Sequence, residues 1–205
     1  MVSDSPAATT DWGPYRFTAA ALAVALALNL WTGNTLWLWY TVLGTSLFLL
    51  AVGRVRLRRL HPPRRAVWMV GLAASLHYVG GSLSGLHQIG GSNGLYYAFP
   101  WWDNMVHVLG SAAVGVAAAA GLLRLLPGRP VLVGALSACV GVAAGTLVEL
   151  YEFAQFEWFG TVDQGFYTNT VVDLYNNLVG ASLGAILFLR SGRRQPLPLQ
   201  PASSP

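Results

Sequence analysis

Asp103 and His107 stand four residues apart, Glu149 and Glu152 three apart, and Asp173 and Asn177 four apart, each pair inside a stretch that is otherwise apolar. On an α-helix these spacings put both members of a pair on one face. Three helices would thus each present two polar side chains, and the types are chemically capable. Imidazole and carboxylates bind zinc, manganese or iron, and they exchange protons. A charged side chain costs roughly 3 kcal/mol at the centre of a bilayer and less near its edge, so several at one depth are expected to pair or to serve a function. Three chemistries fit. A divalent metal would take His107, Glu149 and Glu152 as ligands, with Asp103 or Asp173 as catalytic base or supporting carboxylate, for hydrolysis or transfer on a lipid or envelope substrate. A proton or cation relay would use the same acids for transport, or they would form a site for a polar headgroup. A hydrogen-bonded packing knot would use them for structure alone. The E-x-x-E pair is not the E-x-x-H of di-iron bundles. Cys139 is the single cysteine, so no thiolate metal site or disulfide can be built within the chain, and it reads as a small packing residue.

The elements that must position these residues are membrane spans. Of 205 residues, 54% are hydrophobic and only 10% charged, and the charges sit in short segments between long apolar runs. With a mean hydropathy of +0.50, the solvent expected for such a chain is the lipid bilayer. The net charge of +4 does not imply nucleic acid, because the basic residues lack interleaved aromatic and polar partners.

Segments long enough to cross the hydrocarbon core run over residues 17–31, 35–52, 66–80, 101–123, 131–153 and 171–189, some only with tilt or thinning. The expectation is an all-α polytopic membrane protein, a six-helix transmembrane bundle forming one domain over residues 1–194. The Pro- and Ser-rich residues 195–205 read as a disordered cytoplasmic tail. Gly33 and Asn34 suit a tight turn between the first two spans. The first span is read as retained rather than cleaved, because only Arg16 precedes it as a basic residue and no clear cleavage site follows.

Six spans put Arg16, the group from Arg54 to Arg65, Arg124, Arg129, Arg190, Arg193 and Arg194 on one side and no arginine on the other. The chain has no lysine. Basic residues stay on the cytoplasmic side, so both termini are expected there, in a cell membrane, with the acid and histidine cluster near the outer face. Trp31, Trp37, Trp101, Trp102 and Trp158 then fall at the outer interface, and Trp12 and Trp68 at the inner one. The outer connections over residues 81–100 and 154–170 are long enough for a lid or re-entrant segment.

Small residues mark how the helices meet. Gly141 and Gly145 lie on the stripe of Glu149, and Gly180 and Gly184 on that of Asp173 and Asn177, both G-x-x-x-G spacings that allow close backbone approach in lipid. Spans five and six are expected to touch along these faces, with Ser111 and Ala118 as a weaker seam on span four. His77 reads as a hydrogen-bonded core histidine, and His87, Glu157 and Asp163 as loop residues.

In order along the chain stand WWDNMVHVLG, ELYEF, and GT-x-D followed by D-x-x-x-N-x-x-GA. This run, with the HYVGGSLSGLH stretch before it, resembles the YjdF-type bacterial inner-membrane proteins over about residues 76–189. A more distant likeness is to the VanZ-like proteins, whose pattern has Gln where this chain has Glu152. The resemblance marks Asp103, His107, Glu149, Glu152, Asp163, Asp173 and Gly180 as family-like positions. Neither likeness names a reaction. The loop GTVDQGFYTNTVVD carries fewer acids and tryptophans than the YjdF-type pattern.

Overall fold

The computed structural model describes residues 10–58, 63–85, 94–160 and 167–192. Every regular element among them is helical: α1 (Gly13–Thr32), α2 (Thr35–Leu57), α3 (Arg64–Ser82) with a 3₁₀ turn at Leu83–Gly85, the short α4 (Leu95–Ala98), α5 (Pro100–Leu125), α6 (Pro130–Phe159) and α7 (Tyr167–Gly192). His87, Asp163, Arg59, Arg193, Arg194 and the tail over residues 195–205 lie outside the described residues.

Local chemistry sets the helix ends. Pro14, Pro100 and Pro130 open α1, α5 and α6, where a missing N–H costs no hydrogen bond and φ is already helical. Gly33 ends α1 at φ +68°, a conformation that glycine adopts without steric penalty. Asn34 does not share that conformation. It caps α2 instead, its side chain accepting from the Trp37 N–H at 3.2 Å.

Among the described residues four helices are long and apolar enough to cross a membrane: Thr35–Leu57, Pro100–Leu125, Pro130–Trp158 and Tyr167–Arg190. α1 and α3 have 20 and 19 residues, but their own polar groups, Arg16 and Asn29 in one and Arg64, Arg65 and His77 in the other, dilute their hydropathy.

What is inside and what is outside is inverted relative to a protein folded in water. Leu30, Leu47, Leu50, Leu147, Leu150 and Leu187 are all more than half exposed. The buried positions are mostly alanine with polar side chains, among them Asn29, Thr41, Ser82, His107, Ser137, Glu149, Asp173 and Asn177. Such a molecule hides polar groups and presents hydrocarbon, the arrangement a lipid solvent favours. Cys139 is exposed on the flank of α6, so the expected packing role is corrected: its position on the helix turns it outward. Trp37 is corrected the other way. It is only 6% exposed, because the opening turn of α2 packs it against His77 and Tyr96, so it faces protein and not the bilayer at its level.

α5, α6 and α7 each pack on the other two, while α1 pairs with α3 and α3 docks on α5. Near one end of the first group, Asn29 of α1 donates to Thr41 Oγ1 of α2 at 3.1 Å and to Ser82 Oγ of α3 at 2.8 Å. At the opposite end Arg64 Nε pairs with Asp11 Oδ2 at 2.7 Å, and Phe17 meets Trp68. The glycine stripes act as expected, but one has a different partner. Gly145 receives Asn177 of α7, and Gly141 faces both Ala181 of α7 and the Ser111 carbonyl of α5. Gly180 and Gly184, however, seat α5: a methyl at 180 would collide with the Val108 carbonyl and Ser111 Oγ, and one at 184 would lie 2.7 Å from the Ala112 carbonyl. The three helices thus interlock cyclically, since α7 offers its glycines to one neighbour and its Ala181 and Asn177 to the other.

Candidate functional site

Asp103 lies in the first turn of α5, where a carboxylate complements the helix dipole, and His107 follows one turn deeper. Glu149 approaches from near the C-terminal end of α6, and Asp173 from near the N-terminal end of α7. The close glycine packing below brings these side chains together. His107 Nε2 is 3.4 Å from Asp103 Oδ1, 3.5 Å from Glu149 Oε1 and 4.0 Å from Asp173 Oδ1. Three carboxylates therefore converge on one ring nitrogen. Glu149 and Asp173 are buried, with side chains 3% and 1% exposed, and Asp103 is the member nearest to solvent at 26%.

The other ring nitrogen has its own partner. His107 Nδ1 lies 3.3 Å from Asn177 Oδ1. Nε2 is the nitrogen that the carboxylates face. Asn169 supplies the nearest donor, its Nδ2 reaching Asp173 Oδ2 at 2.6 Å and Asp103 Oδ2 at 3.5 Å. Asn176 donates to Asn104 Oδ1 at 2.8 Å, tying α7 to α5 beside the cluster. Both oxygens of Glu149 and Asp173 Oδ1 nevertheless have no hydrogen-bond partner among the described residues, nor does the Asn177 Nδ2 donor.

No described arginine stands nearby. Arg16 opens α1, Arg54 and Arg56 close α2, Arg64 and Arg65 open α3, Arg124 closes α5, Arg129 precedes α6 and Arg190 closes α7. All lie at the end of the bundle opposite the cluster. Among the described residues, Asp103, His107 and Asp173 form a group whose ligand atoms lie within 4.8 Å of one another and which could hold a metal ion. Bonds of about 2.1 Å at a tetrahedral angle place ligand atoms about 3.4 Å apart. The 3.4 Å between His107 and Asp103 already matches that spacing, and the 4.0 Å between His107 and Asp173 needs an inward shift.

Of the expected site residues, Asp103, His107, Glu149 and Asp173 are thus gathered. Glu152 stands one turn beyond Glu149, half-buried in the wall of the adjoining cavities. His77 has the expected core hydrogen bond, its Nδ1 lying 2.7 Å from Tyr96 Oη. Burial, with Asp103 and Glu152 nearby, pushes the Tyr96 phenol well above its usual pKa, so its O–H stays protonated. Two features escaped the sequence reading. Asn169 lies two residues before the expected start of its span, and an unbroken polar run back from Val171 would have been the signal. The aromatic wall of Trp37, Tyr40, Tyr96 and Tyr151 was hidden because tryptophan and tyrosine also mark interfaces.

The fold and the cluster define a helical membrane protein with a buried acid and histidine site. The chain belongs to the family described as "Predicted membrane protein (DUF2238)", whose model matches residues 14–194. No curated protein and no solved structure matches the chain.

Proposed function

We propose that this protein binds a divalent metal at Asp103, His107 and Asp173, with Glu149 as a fourth ligand or base, and uses it for hydrolysis or group transfer on a lipid or envelope substrate. One observation carries the reading: three carboxylates face one imidazole nitrogen in a buried cluster, three of their oxygens lack a hydrogen-bond partner among the described residues, and no described arginine stands nearby. A cation resolves that conflict directly, and unpaired buried carboxylates are otherwise costly. Relative to the ligand set read from sequence, Asp103 and Asp173 move from base to ligand and Glu152 moves to the substrate side. When bound, a zinc, manganese or iron ion would supply Lewis-acid polarisation of a substrate oxygen. The chain's own part is to orient His107 through Asn177, to hold Asp173 through Asn169, and to leave Asp103 facing the cavity.

The same proposal includes six crossing helices, with α1 and α3 among them, both termini in the cytoplasm of the cell and the site toward the outer face. Its support is the arginine distribution, uniformly at the end away from the site. The motif likeness to YjdF-type and, more distantly, VanZ-like proteins points to the same side chains. The transport alternative has less support, because the buried positions of α5 and α7 beyond the cluster are alanines, glycines and Ser111, whose hydroxyl donates to the His107 carbonyl, so no acid or histidine continues the relay there. A packing knot would leave the protein metal-free.

Elemental analysis of the purified protein decides between these readings. Stoichiometric zinc, manganese or iron, lost in His107→Ala of normal folded yield, is the expected result. Metal-free wild-type protein that is folded and resists reloading refutes it.

A further inference from the structure

Beside the cluster lies a cavity of about 390 Å³ whose walls combine aromatic rings with acids. Trp37 and Tyr40 of α2, Tyr96 of α4 and Tyr151 of α6 surround Asp103 and Glu152. Trp37 stacks on Tyr96 with centroids 5.7 Å apart, and Tyr40 meets Trp37 at 5.3 Å and Tyr151 at 5.9 Å. Ring faces beside carboxylates attract cations, substituted ammonium groups above all. Every described arginine lies at the far end of the bundle, so no described guanidinium faces this chamber.

A second cavity, of about 340 Å³, shares His77, Tyr78, Tyr96, Asp103, Val148 and Glu152 with the first. It continues between α3 and α6 over α5, and its deeper walls are Val70, Ala74, Val114 and Ala144. α3 and α6 both pack on α5, and the cavity lies in the groove between them. From Asp103 to Val114 along α5 is about 16 Å at 1.5 Å per residue. That is close to half the ~30 Å hydrocarbon thickness, the depth of one leaflet.

We propose that the two cavities together hold one bilayer lipid with an ammonium headgroup, the headgroup in the aromatic and acidic chamber and one acyl chain along the groove. The proposal deepens the functional reading above and rests on it for the identity of the reactive end, where the headgroup meets Asp103 and His107.

The test is native mass spectrometry of the full-length protein supplied with phosphatidylethanolamine and phosphatidylglycerol of identical acyl chains. A preference of about tenfold for phosphatidylethanolamine is expected from a desolvated cation–π contact. It should approach parity when Tyr151→Leu and Glu152→Gln are combined. Ala144→Trp and Val114→Trp fill the groove from different helices, and each should lower retention of both lipids. Thermal midpoints identify any variant that misfolds, and the other then gives the reading. Equal retention of the two lipids by the wild type, or undiminished retention in the folded groove variants, overturns the proposal. So does soluble ethanolamine binding as tightly as the intact lipid. Metal content is measured on the same samples. Lipid preference in metal-free protein keeps the lipid site and removes the metal reading, whereas metal-loaded protein without lipid preference does the reverse.

Discussion

Replacing Gly180 with alanine adds one methyl group at the point where α7 rests on α5. That methyl would overlap the Val108 carbonyl and Ser111 Oγ. The hydroxyl can rotate, but the carbonyl is fixed in its helix. A carbon and a carbonyl oxygen settle about 3.3 to 3.6 Å apart, so the helix axes must part by about 1 Å. Overpacking of this kind costs about 1–3 kcal/mol. Alanine also returns up to about 1 kcal/mol of helix propensity, which the comparison must remove. Gly110→Ala and Gly121→Ala provide that correction, because both lie within α5 and an added Cβ meets nothing within 4 Å. Gly180→Ala should therefore be about 1–3 kcal/mol less stable than either control. By the usual scaling for a chain of this size, its midpoint should lie about 2–12 °C lower. Thermal unfolding in detergent, followed by tryptophan fluorescence, reads the difference. The same displacement would lengthen the 4.0 Å separation of Asp173 from His107, so bound metal should fall with the midpoint. Equal midpoints for Gly180→Ala and Gly110→Ala would mean that the glycine stripe does not set the helix spacing, and the geometric basis of the site would fail with it.

Asn177→Ala removes the acceptor that orients His107, and metal affinity should fall about 10–100-fold in competition with a chromogenic chelator. Asn177→Asp, which still accepts, should restore most of it, and an unchanged affinity in Asn177→Ala would exclude the orienting role. For topology, a green fluorescent protein fused after Pro205 should fluoresce, and alkaline phosphatase inserted between Gly85 and Gly94 should be active. The opposite pattern of the two reporters would reverse the proposed orientation.

Helical spacing made Asp103 with His107, and Asp173 with Asn177, legible as pairs, because a face is a local property of one helix. Which neighbour a face meets is not local. The stripe of Gly180 and Gly184 was visible in sequence, yet its partner is α5 rather than α6, since the sequence carries no record of how three helices are arranged about one another. Helix ends were the other weak point. α6 runs on to Phe159 and α7 begins at Tyr167, because in the polar zone a helix continues after its hydropathy stops announcing it. Asn169 was lost in that margin. Asn29 was legible only as a polar interruption of an apolar run. Its meaning as the joint of α1, α2 and α3 depends on Thr41 and Ser82, the latter 53 residues away.

The contact between His107 and Asn177 spans 70 residues. At synthesis rates of 5–20 residues per second, roughly 4 to 14 s separate the two ends of that contact on the ribosome. During that interval Asp103, His107 and then Glu149 have left the ribosome without the helix that completes their surroundings. Biogenesis thus has a vulnerable stage, in which the half-built site must be sheltered by the insertion machinery or by α3. A chain truncated before α7 should be a substrate for membrane quality control.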